Sequence, residues 1–420
     1  MLALVAIAVA APAVYGYLPY WTVGEDEVPW AHLTHLAVFS SGVDASGQLD
    51  ASAFSDAEVA GLVTRGRSEG VRMHLCVTQF DDDTLDALLS SRTARARLVA
   101  DVAAAVAAHG YDGVNIDFEG VPEARRADMV AFTAELAAAV PDVWLAIPAV
   151  DWSDAWDVAS LSSHANLFIM GYGYHWTGGG PGPNAPLRSG DEWSRYTLSW
   201  TVEQYLDQGA APSRLTLGLP LYGQTWPVAS EDEVPGEATD DGWSIPYADA
   251  IAAAERHGRR WDASTSTPWY AEGGRQTWYD DAESVAIKAD YALVEAGLGG
   301  VGFWAIGYDA RDPELWAGVD AAVSAASDTD PTDTDPSDTD PGDTDPADPR
   351  GRPGRATVVG ESGCATAPGA AAVGWAALLV VAYASAARTS SWTRGGLAVP
   401  RVSFITSPTK NPSNPVFPPR

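Results

Sequence analysis

Residues 112–119 read Asp112-Gly113-Val114-Asn115-Ile116-Asp117-Phe118-Glu119. In an extended chain successive side chains alternate between faces, so Asn115, Asp117 and Glu119 share one side while Val114, Ile116 and Phe118 share the other. Both faces of a parallel sheet are normally covered, which makes carboxylates at successive positions costly. The cost is relieved when that face opens at the C-terminal mouth of a barrel, where barrel enzymes carry their reactive groups. The stretch is therefore expected to be a barrel strand whose polar face leads to an active site.

The chain on either side supports that reading. Seven further β-like runs, Tyr15–Trp21, His35–Val43, Arg72–Phe80, Trp144–Val150, Leu167–Tyr174, Leu215–Gly223 and Gly300–Tyr308, alternate with helical patterns near 53–69, 92–109, 122–139, 153–163, 199–209 and 281–296. Eight strands within residues 14–326 fit an α/β fold of the (β/α)8 TIM-barrel type. An open doubly wound sheet is the competing architecture, but it calls for a glycine-rich phosphate loop after the first strand, and Gly16-Tyr17-Leu18-Pro19-Tyr20-Trp21 is not one. Residues 224–280 are too long for a connection and contain their own helical pattern, Tyr247–His257, so they predict a small α+β insertion between strands seven and eight.

The 420-residue chain has 56 acidic and 25 basic side chains, a formal charge of −31 that argues against a nucleic-acid partner. Only nine of the acids lie in residues 327–349, so the main body is itself acidic. Cys76 and Cys364 are far apart in stretches of different character, which excludes a disulfide framework, and Cys76 is expected to be a small buried hydrophobe. Residues 1–13 form an apolar run ending Ala11-Pro12-Ala13, read as an export signal peptide although no Lys or Arg precedes it; a buried first strand is the alternative. Residues 327–350 are an Asp/Thr/Pro repeat, expected to be an extended, self-repelling spacer; its prolines disfavour a calcium loop. Residues 365–387 carry no charge and precede Arg388 and Arg394, so they read as a membrane-spanning segment with the barrel outside, or else as a disordered apolar tail. Residues 388–420 form a short polar end.

Two close carboxyls, one with its pKa raised by burial and like charge, supply a group that stays protonated near neutrality and can protonate a leaving oxygen. Glycosidic bonds need such an acid. Glu119, nearest the mouth, is the better donor. Asp117 lies two residues deeper, roughly 6–7 Å along a strand rising ~3.3 Å per residue, which disfavours a water-activating pair working from opposite faces of a sugar. The nucleophile is then either a protein group or part of the substrate. These residues could instead hold a water or a metal, but no His follows at ligand spacing, and neither a metal nor a cofactor is expected.

The run at 112–119 resembles the DGxDxDxE signature of glycoside hydrolase family 18. The resemblance covers most of the barrel. It continues through Phe39-Ser40-Ser41-Gly42 with Asp44 and Gly47, Val77-Thr78-Gln79-Phe80, Met170-Gly171-Tyr172-Gly173-Tyr174-His175, Gly218-Leu219-Pro220-Leu221-Tyr222-Gly223 and Gly300-Val301-Gly302-Phe303-Trp304-Ala305-Ile306-Gly307. The Asn115 form, with Pro181-Gly182-Pro183-Asn184-Ala185-Pro186-Leu187, looks most like the branch containing spore-cortex-lytic N-acetylglucosaminidases. The resemblance implies a retaining mechanism in which the sugar's 2-acetamido group is the nucleophile, one of the exceptions to the two-carboxylate scheme. It implies Glu119 as acid and then base, Asp117 as holder of the acetamide N–H, Tyr172 as donor to the acetamido oxygen and Trp304 as an apolar floor, with Met170 and Tyr222 contributing from their motifs. The implied partner is an N-acetylglucosamine-containing oligo- or polysaccharide, taken by a monomer.

Two positions depart from the pattern. Asn115 stands where the most familiar chitinases have Asp, which implies a shifted pH profile. Gly173 stands where many relatives have an Asp that contacts the sugar, with His175 or Asp151 as possible substitutes. Aromatic residues after the strands, Tyr20, Trp21, Tyr174, Trp176, Trp226 and Trp243, either stack on sugars at the mouth or pack in the core. His175 is open between a substrate contact and a local loop bond. Gly363-Cys364 followed by an apolar span and Arg resembles the C-terminal sorting tails of surface proteins in myxobacteria, although 32 further residues follow Arg388.

Overall fold

All eight β-like runs form strands of one closed, all-parallel barrel in the computed structural model, which describes residues 11–22, 24–309 and 311–328. The strands in chain order are β1 Ala13–Pro19, β2 His35–Gly42, β3 Arg72–Gln79, β4 Gly113–Phe118, β5 Val143–Pro148, β6 Asn166–Met170, β7 Leu215–Pro220, then β8 Tyr222–Pro227, β9 Trp243–Pro246, β10 Arg260–Asp262, β11 Thr267–Ala271 and β12 Arg275–Trp278 of the insertion, and β13 Gly300–Trp304. The barrel runs β1 to β7 in sequence order, and β13 pairs with both β7 and β1 to close it. Around it lie α1 Asp56–Glu69, α2 Asp82–Ser90, α3 Arg92–His109, α4 Arg126–Ala137, α5 Val158–Ser162, α6 Leu198–Asp207, α7 Tyr247–His257, α8 Ala282–Asp290 and α9 Pro313–Asp328. The open-sheet alternative is thereby set aside.

The alternation along β4 is as the sequence requires. Val114, Ile116 and Phe118 join the apolar layer between strands and helices, while Asn115 and Asp117 point into the barrel beside Cys76 and Thr78 of β3. The barrel interior is filled by Tyr15, Tyr17, Ala37, Phe39, Cys76, Trp144 and Phe168. Glycine makes room for this filling, because a Cβ at Gly218 or Gly302 would stand 2.4 Å from the Phe168 ring. Pro19, Pro148 and Pro220 each end a barrel strand, where a missing N–H ends the ladder without stranding an acceptor.

Three boundaries differ from expectation. The run Leu215–Gly223 is two elements, since β7 stops at Pro220 and Tyr222 already belongs to the insertion. That insertion is an antiparallel sheet in the order β10-β11-β12-β8-β9 with α7 beside it. Asp280, where the lobe returns to the barrel, forms a fully buried ion pair with Lys288 of α8. Two helices escaped the periodicity: α2, nine residues capped by Asp81 and divided from α3 at Ser91, and α9, which extends to Asp328 inside the expected spacer. Ala13, the last residue of the expected leader, opens β1, its N–H donating to Gly299 O at 2.8 Å. Residues 1–10, the remainder of the spacer, the expected span 365–387 and the tail 388–420 lie outside the described residues, as does Cys364. Among the described residues no helix is long and apolar enough to cross a membrane.

Candidate active site

The C-terminal ends of the strands converge on the carboxylate pair. Glu119 follows β4 directly, half-buried, and its backbone N–H donates to Gln79 O at 3.0 Å. The next residue, Gly120, has φ +87°, and a Cβ there would stand 2.1 Å from Asp82 Oδ1, so this sharp exit from the strand requires glycine. Behind Glu119, Asp117 is 5% exposed, and its Oδ1 has no hydrogen-bond partner. Burial raises the pKa of Asp117 above the usual carboxylate range. Burial, and then the charge of Asp117, raises that of Glu119 well above its ordinary value. The charge of Asp117 is thus felt at Glu119, the carboxyl nearest the mouth.

Deeper still, Asn115 is fully buried. Its Oδ1 lies 3.7 Å from the Cys76 thiol, and its Nδ2, like the Tyr17 hydroxyl, has no partner. Cys76 is the small buried residue expected, its thiol pKa pushed up by burial and then by the charge of Asp117. The interior polar column is thus Asn115, Asp117 and Glu119, bordered by Tyr15 and Tyr17 of β1.

Tyr172, just after β6, and Tyr222, the first residue of β8, lie beside this column. Their rings meet edge-on at 6.1 Å. After burial, the Tyr172 phenol is raised by Tyr222, Asp117 and Glu119 in turn, and that of Tyr222 feels Glu119 as well. Trp304, at the end of β13, packs perpendicular to Phe39 at 4.7 Å and against Tyr17 at 5.7 Å, floor-like at the bottom of the mouth. Met170 is half-buried against the same interior cluster. The structure therefore gathers Glu119, Asp117, Asn115, Tyr172, Tyr222, Trp304 and Met170.

Other expected residues fall elsewhere. Trp226 is fully buried in the insertion, packed with Val228, Trp269, Ala271 and Trp278; the lobe needs this indole as its core, so it offers no face to the mouth. Tyr174 points toward α6, its hydroxyl 2.7 Å from Thr201 Oγ1. His175 Nδ1 lies 3.1 Å from Gly180 O, the ring stands edge-on to Trp193 at 5.3 Å, and burial lowers its pKa, so the local loop bond is what forms. Asp151 is no substitute for a carboxylate at 173 either. Its oxygens accept from Ser153 Oγ, Ala155 N and Trp156 N. Trp21 donates from Nε1 to the Tyr308 hydroxyl at 3.0 Å. Gly173 itself has φ +80°, and nothing lies within 4 Å of where its Cβ would be.

Tyr20 and Trp176, each 36% exposed, and Trp243 at 43% do present ring surface. The run Thr177-Gly178-Gly179-Gly180 lets the Trp176 indole fold over it, since a Cβ at Gly178 would stand 2.0 Å from the ring. Two residues near the strand ends were not singled out from the sequence. Trp152, in the loop after β5, is the most exposed large apolar side chain described at 68%, edge-on to Tyr196 at 4.9 Å; in the sequence it merges with a helical pattern. Asn184, fully buried, accepts from Gly173 N at 2.9 Å and Gln224 Nε2 at 3.3 Å and donates to Tyr222 O at 3.4 Å. The signal was a lone amide side chain held between Pro183 and Pro186.

A parallel eight-stranded barrel with two neighbouring carboxylates at its C-terminal mouth, one with a raised pKa, fits a glycoside hydrolase site. The chain belongs to the glycosyl hydrolases family 18, whose family model matches residues 13–309. It is 28% identical over 243 residues to the putative sporulation-specific glycosylase YdhD of Bacillus subtilis, covering 54% of each chain. It is 30% identical over 165 residues to chitinase B of Serratia marcescens, covering 32% of this chain and 33% of that one. The chain thus spans about half or less of the length of these relatives. Among solved structures, the GH18 chitinase of Cycas revoluta in complex with (GlcNAc)3 superposes with a TM-score of 0.66 at 23% identity over 74% of this chain and 99% of that one. Human YKL-39, described as a pseudo-chitinase with retained chitooligosaccharide binding, gives 0.69 at 15% identity over 75% and 100%.

Proposed function

We propose that this glycoside hydrolase cleaves β-1,4 bonds next to N-acetylglucosamine, in chitin-like or peptidoglycan glycans, with retention and with the substrate's acetamido group as nucleophile. The observation that carries this is the unpartnered, buried Asp117 Oδ1, two residues behind a Glu119 whose pKa is raised by burial and by the charge of Asp117. In the first step the acetamido carbonyl oxygen bonds to the anomeric carbon, the glycosidic C–O bond breaks, and the Glu119 proton passes to the leaving oxygen. Asp117 Oδ1 accepts the acetamide N–H and balances the positive oxazolinium-like ring. Tyr172 donates to the acetamido oxygen. In the second step Glu119, now a carboxylate, takes a proton from water as that water attacks the anomeric carbon and the acetamide is released. Trp304 lies under the ring, and the exposed Trp152, Trp176 and Trp243 offer flat apolar faces to further sugars.

The test is incubation of the full chain with chitin oligomers and with purified peptidoglycan, followed by mass analysis of product ends. N-acetylated fragments from either polymer support the proposal, and inertness on both overturns it. A binding-only role is the second reading, favoured by Gly173 and by the likeness to YKL-39; the intact Glu119 weighs against it. From the sequence alone we extend the proposal to location: a leader at 1–13 and a spacer and apolar segment after the barrel would place the enzyme outside the cell, tethered at its C-terminal end.

A further inference from the structure

Opposite the mouth, at the base of the barrel, three potential metal ligands converge from separate elements. His35 is the first residue of β2, His74 the third of β3, and Asp142 immediately precedes β5. One ligand atom from each lies within 4.8 Å of the other two. Asp142 Oδ2 is 3.4 Å from His74 Nε2 and 3.9 Å from His35 Nε2. Ligands on a tetrahedral zinc at about 2.0–2.1 Å are separated by roughly 3.4 Å, so the first distance already matches and the second needs about half an ångström of closure.

The remaining polar atoms of the same side chains are occupied in the way that aims those three atoms inward. His74 Nδ1 sits 3.1 Å from the buried Tyr15 hydroxyl, and His35 Nδ1 sits 2.7 Å from Thr34 Oγ1. Asp142 Oδ1 accepts from Trp144 Nε1 at 3.0 Å and from Asn166 Nδ2 at 3.5 Å. Such outer hydrogen bonds fix the tautomer and orientation of metal-bound histidines and carboxylates. His74 is fully buried, and its Nε2 has no hydrogen-bond partner. Gly113 contributes by its missing side chain, since a Cβ there would stand 2.2 Å from the Asp142 carbonyl oxygen.

Arg72 shows what the cluster attracts. Its Nη1 lies 2.8 Å from Asp142 Oδ2, and its side chain is 55% exposed, so this guanidinium is held from the solvent side and can swing away. His35 and Asp142 reach that same surface, 12% and 9% exposed. We propose that His35, His74 and Asp142 form a site for a zinc-type divalent ion at the base of the barrel, with Arg72 displaced on binding and water as fourth ligand. Two imidazoles and one carboxylate suit zinc over calcium or magnesium, which prefer all-oxygen sets. The ion would clamp β2, β3 and the entry to β5, far from Glu119.

The experiment is thermal unfolding of the untagged full chain after chelator treatment, titrated with zinc chloride, alongside visible spectroscopy with cobalt(II). The expected result is one-to-one, saturable stabilisation of about 5 °C at a hundredfold excess over Kd, with the d–d bands of four-coordinate cobalt. Arg72→Gln should bind zinc more tightly because the competing cation is gone, and magnesium and calcium should give no shift. His35→Gln, altered at the solvent edge where folding is least at risk, and Asp142→Asn should abolish the response. A zinc shift that survives in His35→Gln, or no shift in either wild type or Arg72→Gln, overturns the proposal.

Discussion

Asp117 stands two residues behind Glu119 on the same side of β4, and its charge, added to burial, holds the Glu119 carboxyl well above the usual range. If Glu119 acts first as an acid, as proposed, the rate falls as pH rises through its raised pKa, and the alkaline limb of kcat should lie nearer neutrality than for an ordinary carboxyl. Asp117→Asn removes the neighbouring charge, lowers the Glu119 pKa and moves that limb to more acid pH, with a lower plateau. A pH–rate series on a chromogenic N-acetylglucosaminide checks this; an unmoved limb would show that Asp117 does not set the acidity of Glu119.

Glu119→Gln separates chemistry from binding. The amide keeps the shape of the side chain but cannot give a proton to the leaving oxygen, and general acid–base groups contribute about 10²–10⁴ in rate. Turnover should fall by that factor while oligosaccharide affinity, measured by calorimetry, stays within a few-fold. A wild type that binds equally well and turns over no faster than the variant would assign the protein to the binding-only class.

The barrel was legible because apolar runs of strand length alternate with helical patterns, and the carboxylate column because Asn115, Asp117 and Glu119 keep a period of two on the polar face of β4. What sequence could not supply was direction for side chains outside regular strands. Trp226 and Trp176 both follow barrel strands and both look like platforms, yet one faces the lobe core with Trp269 and Trp278 and the other lies over a glycine run. Tyr174 and His175 sit within a matched motif but beyond β6, where the chain turns and period two no longer holds. The base cluster was invisible for a different reason: His35, His74 and Asp142 are spread over more than 100 positions, and only the pairing of β2 through β5 brings them together.

Gly173 offers a test of what the missing carboxylate contributes. Its φ of +80° is in the left-handed region, while the space beside it is open, so substitutions meet backbone strain and no clash. Gly173→Ala should cost about 1 kcal/mol, and Gly173→Asp somewhat less because Asp tolerates this conformation better. Both should fold, as thermal unfolding would show. If a carboxylate at this position contacts the reacting sugar, kcat/KM should be higher for Gly173→Asp than for Gly173→Ala; equal values would show that Asn184 and Tyr222 organise the site without it.

The two tryptophans make opposite predictions. Trp226 is fully enclosed, so Trp226→Ala leaves a large cavity in the lobe and should cost about 3–5 kcal/mol, read as a fall in Tm and early proteolysis within 222–278. Trp176 is 36% exposed and has little core around it, so Trp176→Ala should cost clearly less stability than Trp226→Ala. Its loss should instead appear as a KM raised about five- to tenfold for long oligomers, the equivalent of roughly 1 kcal/mol of ring stacking. Short substrates that do not reach the rim should be unaffected. A variant that weakens short and long substrates alike would move Trp176 from the rim to the reacting sugar.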